Sequence, residues 1–174
     1  MKKIIALAFV SCTLLMASCV NAQDKSKRAS PPAKVSQTIN NGATITIDYS
    51  QPSLKGRTIG KDVEPMSGKV WRMGANEATV FEVNKDVAIE GKKLPAGKYS
   101  LFGLRDDEDF TLIFNKEWNI SGSDYDDYKD KDVMKIKVKS KKADNTLEKL
   151  TYAIDKNGKV SLQWGTMLVN WNVN

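Results

Sequence analysis

The strongest constraint in this sequence is a period of two. Val35, Gln37 and Ile39 fall on one side of an extended run. Ala43, Ile45, Ile47 and Tyr49 then alternate with Thr44, Thr46 and Asp48. The same alternation returns at Thr79–Phe81–Val83, Tyr99–Leu101–Gly103, Phe110–Leu112–Phe114, Met134–Ile136–Val138, Leu150–Tyr152–Ile154, Val160–Leu162–Trp164 and Met167–Val169–Trp171–Val173. Such runs place alternate side chains on opposite faces of a sheet. Asn40-Asn41-Gly42, Gly91-Lys92-Lys93, residues 105–109 and Asp155-Lys156-Asn157-Gly158 separate them, and these residue types accept the backbone angles of tight turns. No helical periodicity competes after the first residues. The expected fold is all-β, an antiparallel β-sandwich or flattened barrel of roughly ten short strands. Lys135, Lys137, Lys139 and Lys141 lie outward on one run, a pattern that guards a strand edge. Residues 143–146 read as a turn.

The first 22 residues stand apart. Lys2 and Lys3 precede an apolar run over residues 4–16 that is short for a bilayer span, the form of an export signal. Val20-Asn21-Ala22 before Gln23 suits ordinary signal peptidase. Leu15-Met16-Ala17-Ser18-Cys19 is a loose lipobox that would instead leave Cys19 as a lipid-bearing N-terminus. Both endings predict a protein of the periplasm or the cell surface, with the membrane touched only through that lipid. Residues 23–32 read as a flexible polar leader and residues 33–174 as one β-sandwich domain.

Composition removes several chemistries. Both cysteines, Cys12 and Cys19, sit in the export segment, so no disulfide and no thiolate metal site is expected in the domain. The chain has 0 histidines, which removes the commonest general base and transition-metal ligand. The formal charge of +6 comes largely from residues 2–3 and the leader, and the folded remainder keeps about +2. Nucleic acid is therefore not an expected partner, and no cofactor is expected.

Residues 50–69 break the alternation with Pro52, Gly56, Gly60, Pro65 and Gly68. A connection this long is functional or anchored, and Leu54, Ile59, Val63 and Met66 are candidate anchors. It leads into Val70-Trp71-Arg72-Met73-Gly74-Ala75-Asn76-Glu77-Ala78-Thr79, which reads as a tight turn joining two strands. A second long connection, residues 115–131, carries Trp118, Tyr125 and Tyr128 among several aspartates.

Three blocks carry a family resemblance: Gly56-Arg57-Thr58-Ile59, the Val70–Thr79 run, and residues 91–102, which read Gly-Lys-Lys-Leu-Pro-Ala-Gly-Lys-Tyr-Ser-Leu-Phe. In this order and spacing they resemble a bacterial secreted family catalogued as domain of unknown function 2911, over about residues 30–174. The resemblance implies a secreted all-β domain and no reaction. Where that family tends to a Trp-Gly pair, this chain reads Trp118-Asn119-Ile120-Ser121-Gly122.

The candidate ligand-binding residues are Arg57, Arg72, Asn76, Glu77 and Trp118. An arginine fork beside an amide and a carboxylate suits a carboxylate, a sugar or a peptide end. Structurally, Gly74 would take the awkward backbone angle, Asn76 would bond its own turn and Arg72 would pair with Glu77. Lys55 and Arg57 either complete an anion pocket with Arg72 or staple the loop, Arg57 bonding backbone carbonyls. Trp164 and Trp171 fall in strand patterns and belong to the core, which leaves Trp118 as the exposed platform. Asp124, Asp126, Asp127, Asp130 and Asp132 lack the spacing of a calcium loop and read as a solvated acidic stretch. The sequence thus favours a non-enzymatic exported module that binds a small molecule, a glycan or an envelope protein. A carboxylate-based hydrolase, with or without calcium, and a purely structural envelope protein are the alternatives.

Overall fold

A computed structural model describes residues 24–174, so the expected export signal, Cys19 and both candidate cleavage positions lie outside the described residues. Ten strands form: β1 (Pro32–Thr38), β2 (Thr44–Ser50), β3 (Val70–Trp71), β4 (Thr79–Val83), β5 (Val87–Ile89), β6 (Lys92–Leu94), β7 (Gly97–Asp106), β8 (Asp109–Asn115), β9 (Asp132–Ile154) and β10 (Lys159–Asn172). One short α-helix, α1 (Tyr125–Tyr128), lies in the second long connection, followed by a 3-10 turn over Lys129–Lys131. The ladders are antiparallel in the order β1-β2-β4-β7-β8-β9-β10, and the sheet curls into a half-barrel around its core.

The turns form where the glycines and short polar residues stand. Gly42 (φ 80°) lets β1 fold back on β2, with Thr38 opposite Thr44. Glu90 (φ 46°) and Gly91 (φ 81°) make the two-residue link between β5 and β6. Both central residues of a primed hairpin turn need positive φ, which matches strand twist.

β9 departs from the expected two strands and a turn. It runs unbroken for 23 residues, pairing with β8 over residues 132–139 and with β10 over residues 140–154. Residues 143–146 do not turn; they bulge opposite Gly165–Met167, where the register shifts twice. The exposed polar residues of this stretch lose their alternation where the strand changes ladder partner from β8 to β10 and the register shifts. Before Ser140 the ladder partner is β8, with Lys135, Lys137 and Lys139 exposed on the outer face.

The main core lies inside the curl. Ile45, Ile47, Phe81, Leu101, Leu112, Phe114, Leu162 and Trp171 are buried there, with Trp164. β4 lies between β2 and β7. Ala78, Phe102, Ile113 and Ile120 make a second, smaller core under Tyr125 and Tyr128, so the second long connection covers the outer face of β7 and β8. The expected solvated acidic stretch is partly structural. Asp132 accepts from Asn115 Nδ2 at 2.8 Å and Tyr125 Oη at 2.7 Å, and pairs with Lys135 at 3.0 Å. Burial and that carboxylate hold the Tyr125 phenol well above its ordinary range.

The first long connection is stitched to the second half of β9. Leu54 N donates to Glu148 O and Leu150 N to Pro52 O, extending β9 by a short antiparallel bridge at Ser53–Lys149. Leu54, Ile59 and Val63 pack on the main core as expected.

Candidate functional site

The run from Trp71 to Thr79 is not a hairpin. β3 and β4 do not pair with each other; both pair with the same edge of β7, Trp71 opposite Gly103 and Thr79 opposite Leu101. Residues 72–78 are an excursion from one nearly continuous strand edge, closed where Thr79 N donates to Arg72 O at 3.2 Å. The awkward angles fall on Met73 (φ 53°) and Asn76 (φ 58°), not on Gly74. A left-handed methionine in the core costs of order 1–3 kcal/mol and persists only when its surroundings overdetermine it. They do so here. Met73 is fully buried, and its carbonyl accepts from Tyr152 Oη at 2.8 Å and Thr79 Oγ1 at 3.1 Å. Burial drives the Tyr152 phenol far above its ordinary pKa, so it stays a donor. Trp71 Nε1 donates to Gly74 O at 3.1 Å, and the Trp71 ring stacks on Trp164 at 6.2 Å and 16°. Gly74 is required for room instead: a Cβ would stand 2.9 Å from Thr79 Oγ1 and 3.1 Å from Ser50 O.

Arg72 does not pair with Glu77. Its Nη1 donates to Asn76 O at 2.7 Å, and its side chain lies across Gly122, where a Cβ would fall 2.3 Å from Arg72 Cδ and 2.8 Å from Asn76 O. The second long connection reaches the corner there, with Ala78 N donating to Ile120 O and a bridge between Glu77 and Ser121. Despite its unusual Trp118–Gly122 stretch, this connection has a glycine where Arg72 demands one.

Glu77 faces the leader. It pairs with Arg28 at 2.8 Å and Lys25 at 3.3 Å, while Asn76 Nδ2 donates to Ser30 O at 3.0 Å rather than to its own turn. The Arg28 guanidinium, aided by Lys25, holds the Glu77 carboxyl at about 2. A lowered carboxyl pKa contributes stability above its unfolded value, and that contribution is lost as pH falls toward the folded one. The clasp is therefore expected to stand above pH 4.5 and to release between 4.5 and about 2. Because Lys25 and Glu77 are about half exposed, salt weakens it too. Carboxyl NMR titration checks this: Arg28→Ala should bring the Glu77 midpoint back toward 4.5, and an unchanged midpoint would rule the clasp out.

Arg57 staples the first loop, with Nε donating to Leu54 O at 2.9 Å and Nη2 to Ser53 O at 2.8 Å. Its Nη1 makes no protein hydrogen bond among the described residues. Asp62 and Glu64 cap their own loop, accepting from Thr58 N and Met66 N. Between loop and corner lies a cavity of about 370 Å³, lined by Arg57, Arg72 and Asn76 together with Glu64, Trp71 and Trp164. Three of the five candidate residues thus meet. Glu77 and Trp118 do not line this cavity, and neither does Lys55, whose backbone N–H donates to Glu148 Oε1. Trp118 is 43% exposed, with Lys98 Nζ 5.0 Å above its ring. Among the described residues no group of three or more Asp or Glu side chains is placed to hold a metal ion.

The sequence alone did not mark Ser30 as part of the cavity wall, or Tyr152 and Gly122 as its supports. Tyr152 was legible as an inward residue, but the carbonyl it serves lies 79 positions away. A comparison with family models matches residues 30–173 to a family described as a protein of unknown function (DUF2911). No curated protein and no solved structure matches the chain.

Proposed function

The chain belongs to the DUF2911 family, whose description assigns no activity, and on that premise we propose from the geometry that it is a non-enzymatic ligand-binding module. Its site is the cavity between the first long loop and the Trp71–Thr79 corner. The observation that carries this reading is convergence: Arg57 from the first long loop and Arg72 and Asn76 from the corner line one cavity beside two stacked indoles. Guanidinium and amide groups on a rigid apolar wall suit a small ligand bearing a carboxylate, such as a uronic acid or a peptide C-terminus. Each carboxylate in the lining, Asp62 and Glu64, already accepts a loop amide, which favours binding over acid–base work. The export signal read from residues 1–22 makes this a module of the periplasm or cell surface.

Titration calorimetry with short peptides and uronic acids tests the proposal. One ligand class should bind, and Arg72→Lys should weaken it about tenfold, ~1.4 kcal/mol, because lysine keeps the charge and loses the fork. If no member of the panel binds, or Arg72→Lys binds as the wild type does, the proposal fails.

A further inference from the structure

A second and larger cavity, of about 510 Å³, opens on residues 54–59 of the same loop and is walled by the β7–β8 turn and the bulged pair β9–β10. We propose that it is a separate binding site for the phosphate monoester of a small polyhydroxy compound.

The lining carries the chemistry. Arg57, Arg105, Lys141 and Lys142 bring four positive charges to it, and Asp107 and Glu108 two negative ones. None of these six side chains makes an ion pair among the described residues, whereas ten pairs form elsewhere. The excess of two positive charges matches a phosphate monoester dianion. Thr58, Ser140, Thr146 and Thr166 add hydroxyl donors, while the two carboxylates supply acceptors for hydroxyl groups. Leu54, Ile59 and Met167 give the carbon skeleton an apolar wall, and the volume lies in the range of small-molecule sites.

The backbone is shaped for this cavity. A regular strand presents alternate residues to one side, yet Ser140, Lys141 and Lys142 all line it, next to the register shift. Bulges re-aim side chains in this way and gather beside functional sites. Gly165 (φ 56°) makes the facing bend, and a Cβ there would stand 3.2 Å from Ile59 Cδ1 and 3.4 Å from Leu54 Cδ1. The Arg105 head lies against Gly60, where a Cβ would fall 2.7 Å from its Nη1. The loop that walls the first cavity thus also holds a cation of the second in place.

The test uses glucose 6-phosphate, inorganic phosphate and glucose as probes in calorimetry and amide NMR, with the double variant Lys141→Ala/Lys142→Ala. Both lysines are exposed and their side chains make no hydrogen bond among the described residues, so the variant keeps the fold. Glucose 6-phosphate should bind more tightly than inorganic phosphate, glucose should not bind, and the variant should lose at least about tenfold in affinity. Shifted amides should cluster at residues 54–59, 105–108, 140–146 and 165–167. No binding by the ester, equal affinity for inorganic phosphate, or an unchanged double variant would overturn the proposal. Arg57 borders both cavities and is left intact, so this outcome is independent of carboxylate binding at the first.

Discussion

Replacing Trp71 with alanine is expected to destabilise the protein by about 3–5 kcal/mol, the range for truncating a large buried aromatic. The ring is 2% exposed, stacks on Trp164 and donates to Gly74 O. Its loss opens a void under the excursion and leaves a buried carbonyl without its donor. The midpoint of urea unfolding should fall with an unchanged slope. Trp71→Phe should cost less, because it keeps most of the apolar contact and loses the indole hydrogen bond. A loss below about 1 kcal/mol for Trp71→Ala would mean that the corner is held by something other than this ring.

Gly158→Ala should be nearly as damaging for a different reason. Gly158 has φ 88°, and a Cβ built there would stand 1.9 Å from Val173 O. The obstacle is backbone, fixed because Val173 N donates to Gly158 O at 2.9 Å and Asn174 pairs with Ala88 in β5. The chain end must move away, and a loss on the order of 3 kcal/mol is expected from strain and broken pairing together. Gly42→Ala is the control. Its φ of 80° carries the same intrinsic penalty, but its Cβ would meet only the flexible end of Lys85, 3.1 Å away. Its cost should stay near 1 kcal/mol. Thermal unfolding of the two variants side by side checks the difference, and equal losses would show that backbone angle, not the chain end, decides.

The parts of the fold that were legible in the sequence are local. Asn-Gly pairs and strict alternation locate β1, β2 and the turn before β10, because turn chemistry and side-chain period act within a few residues. Arg57 as a loop staple was legible for the same reason: its two carbonyl acceptors lie three and four positions away. What escaped is non-local. That β3 and β4 share one edge of β7 depends on a strand more than twenty positions further on. Glu77 has an arginine five positions before it in sequence, yet pairs with Arg28, 49 positions away, because the excursion turns its side chain toward the leader. β9 hid its continuity because its middle is exposed on both faces and shows no period. Of the candidate site, the seam between loop and corner was legible from the crowding of Arg57, Arg72 and Asn76; the separation of Glu77 and Trp118 from it was not.

On the proposed function, the cavity beside the two stacked indoles receives a ligand through Arg57, Arg72 and Asn76. The four tryptophan side-chain N–H resonances report on it directly. Trp71 and Trp164 line the cavity, Trp171 is buried in the main core, and Trp118 stands on the surface beside Lys98. On titration with the carboxylate ligand, the Trp71 and Trp164 resonances should move together and saturably, with Trp171 and Trp118 unmoved. Movement of Trp118 alone, or of none of the four, would contradict the claim.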